Sequence, residues 1–140
     1  MTIRVVFDTN ILISALLSMT GAPFRCLALA HRYVVQSVTC EQILEEFGEK
    51  LQQKFRFGEA RAQQTVEEVR QFSVLVFVPG QLHGVVADDP DDDVVLVCAA
   101  VGDTSFIVTG DKHLLNLQSY QSIAIVRAQV LLDTIVADGS

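Results

Sequence analysis

Cysteine is scarce in this chain, with only Cys26, Cys40 and Cys98. An odd number without CxxC spacing points to neither a disulfide framework nor a cysteine-bound zinc. Cys98 lies inside the apolar run VVLVCAAV, where a free thiol behaves as a small core residue. Long apolar runs are missing too. No stretch reaches bilayer-spanning length, so no membrane partner is expected. The opening MTIRVVFDTN passes straight into a strand-like segment without the basic start, apolar run and small-residue cleavage site of a secretory leader. A cytoplasmic protein is the expectation. Repeats, low-complexity stretches and Gly/Ser linkers are also absent, and the 140 residues are read as one domain spanning 1–140.

Positive charge is in short supply. Ten Lys and Arg face 17 Asp and Glu, for a net charge of −7. A protein that grips nucleic acid through its phosphates is usually basic, so the bulk charge argues against such a partner. The distribution argues differently. Five of the 17 acids fall within Asp88–Asp93, and half of the ten bases fall between Lys50 and Arg70. The acids gather where a cation can sit, and the bases lie on another segment.

What is present is an alternation of short β-rich runs and longer stretches of helical spacing. Ile3–Phe7, Tyr33–Gln36, Val74–Val78, Phe106–Val108 and Ile123–Val126 are nearly continuous apolar runs, the pattern of strands covered on both faces. Helical spacing marks Ile11–Ser18, Pro23–His31, Glu41–Lys54, Glu59–Phe72, Val94–Val101, Lys112–Leu117 and Ala128–Val136. Thr39 is placed to cap the Glu41 helix. The alternation predicts a parallel, right-handed α/β sandwich. In such sheets ligands bind beyond the carboxyl ends of the strands.

Two acids stand at those ends: Asp8 in VVFDTN and Asp111 in FIVTGD. Asp92 enters the helix that leads to the fourth strand, and Glu46 sits about two turns into its own helix. Carboxylates held close together repel and retain protons unless a cation joins them. A hard cation such as Mg²⁺ or Mn²⁺ prefers carboxylate and water oxygens. It can supply a nucleophilic water and neutralise charge on a phosphate. A phosphodiester is the natural substrate of that arrangement. Asn10 is placed to hold the Asp8 carboxylate, and Thr109 to bind a metal-bound water or a phosphate oxygen.

These segments resemble the PIN-domain family, especially the toxin components of VapBC-type toxin–antitoxin pairs. The resemblance rests on VVFDTNILISALLS, SVTCEQILEEFGEKL, DDPDDDVVLVCAAVGDTSFIVTGDKHLL and the closing strand and helix. It implies a three-layer α/β/α sandwich with a five-stranded parallel sheet. It further implies a Mg²⁺- or Mn²⁺-dependent ribonuclease and a homodimer, with an antitoxin as a possible partner. By position, the four acids are Asp8, Glu46 (with Glu45 the competitor), Asp92 and Asp111, with Asp93 or Asp89 assisting Asp92. Many members carry another acid where this chain has His113, which puts a fifth carboxylate in doubt.

Plainer readings stand beside these. Asp8 and Asp111 can serve as turn or cap residues. The run DDPDDD has the look of a solvated loop or helix start, and it lacks the Gly and closing Glu of an EF-hand loop. Glu45 and Glu49 are read as exposed, Arg61 and Arg70 as a solvated face. His31, His83 and His113 have no ligand spacing. The stripe Ile11, Leu12, Ala15 and Leu16 suits a core and, in a dimer, an interface as well. A phosphatase of the haloacid-dehalogenase type also places an Asp after its first strand, but needs a second Asp where this chain has Asn10. A module that only binds metal or a basic partner protein is the non-enzymatic alternative.

Overall fold

The computed structural model describes residues 2–80 and 89–139; His83 and Asp88, considered above, lie outside the described residues. The elements run β1 (Ile3–Phe7), α1 (Thr9–Leu17), α2 (Ala22–His31), β2 (Val35–Thr39), α3 (Glu41–Gln53) and α4 (Glu59–Gln71). They continue with β3 (Ser73–Leu75), α5 (Pro90–Val101), β4 (Phe106–Val108), α6 (Lys112–Leu117), β5 (Ser119–Tyr120), β6 (Ile123–Val126) and α7 (Ala128–Gly139).

The sheet order is β3-β2-β1-β4-β6-β5, parallel throughout except for the β5–β6 pair. Val5 and Val6 are both fully buried, as is the pair Ile107 and Val108. Successive strand residues point to opposite faces, so helices must cover the sheet on both sides. This is the expected three-layer α/β arrangement, with six strands rather than five. The unforeseen strand, β5, has two residues and turns back through Gln121 and Ser122, whose φ angles of 48° and 71° are both left-handed. Such a turn favours Asn-Gly. Here it is built from Gln and Ser, and no local pattern announces it.

Three boundaries moved for physical reasons. β2 begins at Val35 because Tyr33 adopts φ 59°, a conformation no strand can contain. β3 stops at Leu75, opposite Thr39, where β2 itself ends. α5 starts at Pro90 rather than Val94: proline suits the first helical position, and the Asp89 side chain accepts from the Asp91 N–H at 2.9 Å. The described part of the run DDPDDD, Asp89–Asp93, is thus a helix start, with Asp91, Asp92 and Asp93 in the first turn, where the helix dipole favours negative charge. The cap expected from Thr39 does not form. Cys40 is the N-cap of α3 and makes no side-chain cap bond, while the buried Thr39 Oγ1 has no partner. Thr39 is still held in the ladder with β3, so its side chain follows the sheet.

All three cysteines are free and buried. Cys40 and Cys98 act on each other, which lowers the Cys40 pKa and raises that of Cys98. α5 closes tightly on β2. A Cβ on Gly102 would stand 2.5 Å from Val38 Cγ1 and 3.2 Å from the Cys98 carbonyl oxygen, so only glycine fits. Among the described residues no single helix is long and apolar enough to cross a membrane.

Candidate active site

β1 lies between β2 and β4. From β1 the chain moves to one side, into β2 and β3, and returns on the other side through β4 and β6. Connections leaving β1 and β4 therefore diverge, and a crevice opens beyond their carboxyl ends. Asp8 and Asp111 stand at its two lips.

Asp8 is 8% exposed. Its Oδ1 accepts from the Thr9 N–H at 2.8 Å, which caps α1, and its Oδ2 accepts from the Thr109 hydroxyl at 2.7 Å. Thr109 is completely buried, and its Oγ1 also accepts from the Asp111 N–H at 3.0 Å. One hydroxyl thus ties the two acidic loops together. This corrects the expectation for Asn10. Thr109 holds Asp8, the task assigned to Asn10, whereas Asn10 is exposed and its Oδ1 accepts from Lys50 Nζ at 3.3 Å. Asn10 follows Asp8 within α1, and that helix turns its side chain toward α3.

Burial raises the Asp8 pKa above the ordinary carboxylate value. The bonds from Thr109 and Thr9 oppose that rise, and the charges of Glu46 and Asp111 add to it. Asp92, 7% exposed, is pushed up to about 7 by burial first, then by the charges of Asp111 and Asp89, a hydrogen bond to Asp111, and the charge of Asp8. A raised pKa is the usual outcome when carboxyl groups share a site. Asp111 also caps α6, its Oδ1 accepting from the His113 N–H at 2.8 Å. Capping and membership of the acidic cluster are therefore compatible, for Asp8 and Asp111 alike.

Glu46 approaches from α3, and its charge is felt by both Asp8 and Asp91. It is half-buried and paired with Lys50, Nζ to Oε1 2.9 Å. Glu45 is exposed and faces elsewhere. Together with Glu41, Glu49, Glu67 and Arg70 it lines a groove of about 430 Å³ between α3 and α4, to which none of the four acids contributes. Arg70 is not a free cation there, since it pairs with Glu41 and Glu67. Asp93 is buried at 1% exposure, against the solvated reading of its run. Asp89 is exposed and serves as the α5 cap. His113 is exposed, and His31 makes an edge contact with Phe72.

Two residues near these acids escaped the sequence reading. Asp91 is exposed, yet its pKa is raised by partial burial and then by Glu46 and Asp89, with Lys50 opposing. Lys50 itself lies one helical turn beyond Glu46, a spacing that invites an ion pair and was the available signal.

Among the described residues no three Asp, Glu, His or Cys side chains form a ready ligand set for a metal. The donor chemistry nevertheless fits a hard divalent cation. The donors are all carboxylate oxygens, and two of the acids are pushed toward protonation by burial first and by neighbouring carboxylates second, charges that a cation would balance. Asp8, Asp92, Asp111 and Glu46 are the side chains that can hold it. Glu46 must first leave Lys50, and Asp92 must lose its proton to do so.

Comparison with known proteins agrees with this architecture. The uncharacterized protein MJ1680 of Methanocaldococcus jannaschii is 33% identical over 118 residues, spanning 83% of this chain and 76% of that protein. The crystal structure of PAE2754 from Pyrobaculum aerophilum matches with a TM-score of 0.64 at 19% identity, covering 98% of both chains; at that identity the likeness concerns the fold. Residues 4–113 match the family described as PIN domain. The chain therefore belongs to the PIN-domain family, whose members are commonly metal-dependent nucleases.

Proposed function

We infer that this protein is an endoribonuclease that hydrolyses RNA phosphodiester bonds with Mg²⁺ or Mn²⁺ held by Asp8, Asp92, Asp111 and Glu46. One observation supports this above the others: at the β1–β4 crevice Asp8 feels the charges of Glu46 and Asp111, and Asp92 those of Asp111 and Asp8. A bound divalent cation would supply a Lewis acid for the phosphate and lower the pKa of an attacking water. The chain's own residues do the rest. Thr109 and the Thr9 N–H aim the two oxygens of Asp8. Asp92, whose pKa is raised by burial and its acidic neighbours, would give up its proton on holding the cation. The buried strand ends keep both acids in a fixed geometry.

Purified protein should cleave single-stranded RNA when Mn²⁺ or Mg²⁺ is present and stop with chelator. Asp8→Asn, purified identically, should be inactive; cleavage that persists in this variant and in chelator would count against the reading.

The resemblance to VapBC-type toxins carries the proposal further, to a cytoplasmic toxin with an antitoxin partner. The net charge of −7 would draw basic segments of such a partner. A homodimer would cover the exposed Leu16, Leu17 and Met19 at the end of α1; Ile11, Leu12 and Ala15 of the same stripe are core. Sedimentation equilibrium tests the dimer. A second reading, a metal- or protein-binding module with little turnover, draws on the lack of a ready ligand set. Calorimetric Mn²⁺ binding without cleavage of varied RNAs would favour it.

A further inference from the structure

Lys50 is a basic side chain at the edge of the acidic crevice. Its Nζ stands 2.9 Å from Glu46 Oε1 and 3.3 Å from Asn10 Oδ1, and its charge opposes the rise in the Asp91 pKa. It therefore bridges α3 to the first turn of α1, the helix that Asp8 caps. The pair is partly open to solvent, with 25% of the Lys50 side chain and 30% of the Glu46 side chain exposed. An ion pair so placed is weak, and a divalent cation competes for Glu46 at small cost. A lysine carries its charge on a long flexible stem and recognises phosphate as a point charge. In a crevice crowded with carboxylates, an RNA backbone needs a positive group at the rim as well as any ion within.

We propose that Lys50 is a phosphate-binding residue whose ammonium is exchanged between Glu46 and the RNA backbone. In the metal-free protein it neutralises Glu46. With Glu46 engaged by a divalent cation, the Lys50 ammonium would be free beside Asn10 to contact a phosphate of the bound strand. This inference rests on the ribonuclease reading and assigns its substrate contact.

The exchange makes two measurements move in opposite directions. Lys50→Met removes a competitor for Glu46, so Mn²⁺ binding, followed by electron paramagnetic resonance of the free ion, should tighten about two- to fivefold, the range set by a partly exposed ion pair. The same variant should bind a short fluorescein-labelled single-stranded RNA more weakly in Ca²⁺. Its log–log salt dependence should be shallower by about 0.7, one phosphate contact on a single strand. Lys50→Arg should keep the wild-type slope. Lys54→Met, at the exposed C-cap of α3, makes the same change in net charge and should leave both readings near wild type. Weaker Mn²⁺ binding by Lys50→Met would mean that Lys50 merely orients Glu46, and would overturn the exchange. An unchanged RNA slope, or an equal loss in Lys54→Met, would overturn the phosphate contact. If wild-type protein binds Mn²⁺ and RNA while these variants match it, only the role of Lys50 falls; if wild type binds neither, the ribonuclease reading falls with it.

Discussion

The two walls of the crevice are built on different principles. The inner wall, Asp8, Thr109 and Asp111, hangs from strand ends. The Asp8 N–H still bonds the Val108 carbonyl at 3.0 Å and the Thr109 N–H bonds that of Val126 at 3.0 Å, so ladder bonds and burial fix each side chain. The outer wall, Glu46, Lys50 and Asn10, projects from helix surfaces and is held by exposed contacts that cost little to exchange. The contrast suggests a division of labour, with rigid acids where geometry matters and loosely held ones where partners must change.

Thr109→Val should break the inner wall most severely. It leaves the Asp8 carboxylate and the Asp111 N–H without their shared partner, a loss of about 1–3 kcal/mol in denaturant unfolding. Metal affinity should fall about 10–100-fold, as when the group that orients a ligand is removed. A variant close to wild type in both would show that the hydroxyl is not what holds the two loops together. Gly102→Ala tests the scaffold beneath, since the added methyl must displace Val38. A loss of about 1–3 kcal/mol is expected, with metal affinity per folded molecule unchanged.

Acidity separates the walls next. A carboxyl group whose pKa rises on folding binds its proton more tightly in the native state, so its contribution to stability is fully present below the unfolded value of 3.8 and is lost as pH rises through the folded value. For Asp92 that window runs from 3.8 to about 7, and Asp8 acts in the same sense. Metal-free protein should accordingly melt at a higher temperature near pH 5 than near pH 8, and saturating Mn²⁺ should shrink that difference because the ion binds the deprotonated carboxylates. Melting temperatures that rise with pH across this window without metal would contradict the raised pKa values of Asp8 and Asp92. The smallest effect belongs to Asn10→Ala on the outer wall, within about 0.5 kcal/mol of wild-type stability. A drop as large as that of Thr109→Val would restore Asn10 as the holder of Asp8.

The inner wall was legible in the sequence because position alone carries it. An apolar run ending in Asp predicts a strand-end acid, and the alternation of elements puts such ends on one edge; Asp8 and Asp111 are found there. The outer wall was legible only in part. Helical spacing could place Glu46 or Glu45 at the crevice, and the angle between α3 and the sheet decides between them. The bond from Thr109 to Asp8 joins residues 101 positions apart, and nothing local distinguishes Thr109 from Asn10 for that task. Asp91 was hidden because an acid in a run of acids looks solvated, and Thr39 failed as a cap because the ladder with Leu75 holds it in the sheet.

Thr109 has a single proton to give, and it goes to Asp8 while its lone pairs receive Asp111. The spacing of the two acids is thereby tied to the pairing of Phe7 with Val108. A slip of one rung would send Asp8 and Thr109 to opposite faces. This protein cannot mis-register its central strands and keep even half of its crevice, so errors in assembly of the sheet produce silent molecules rather than mis-aimed ones.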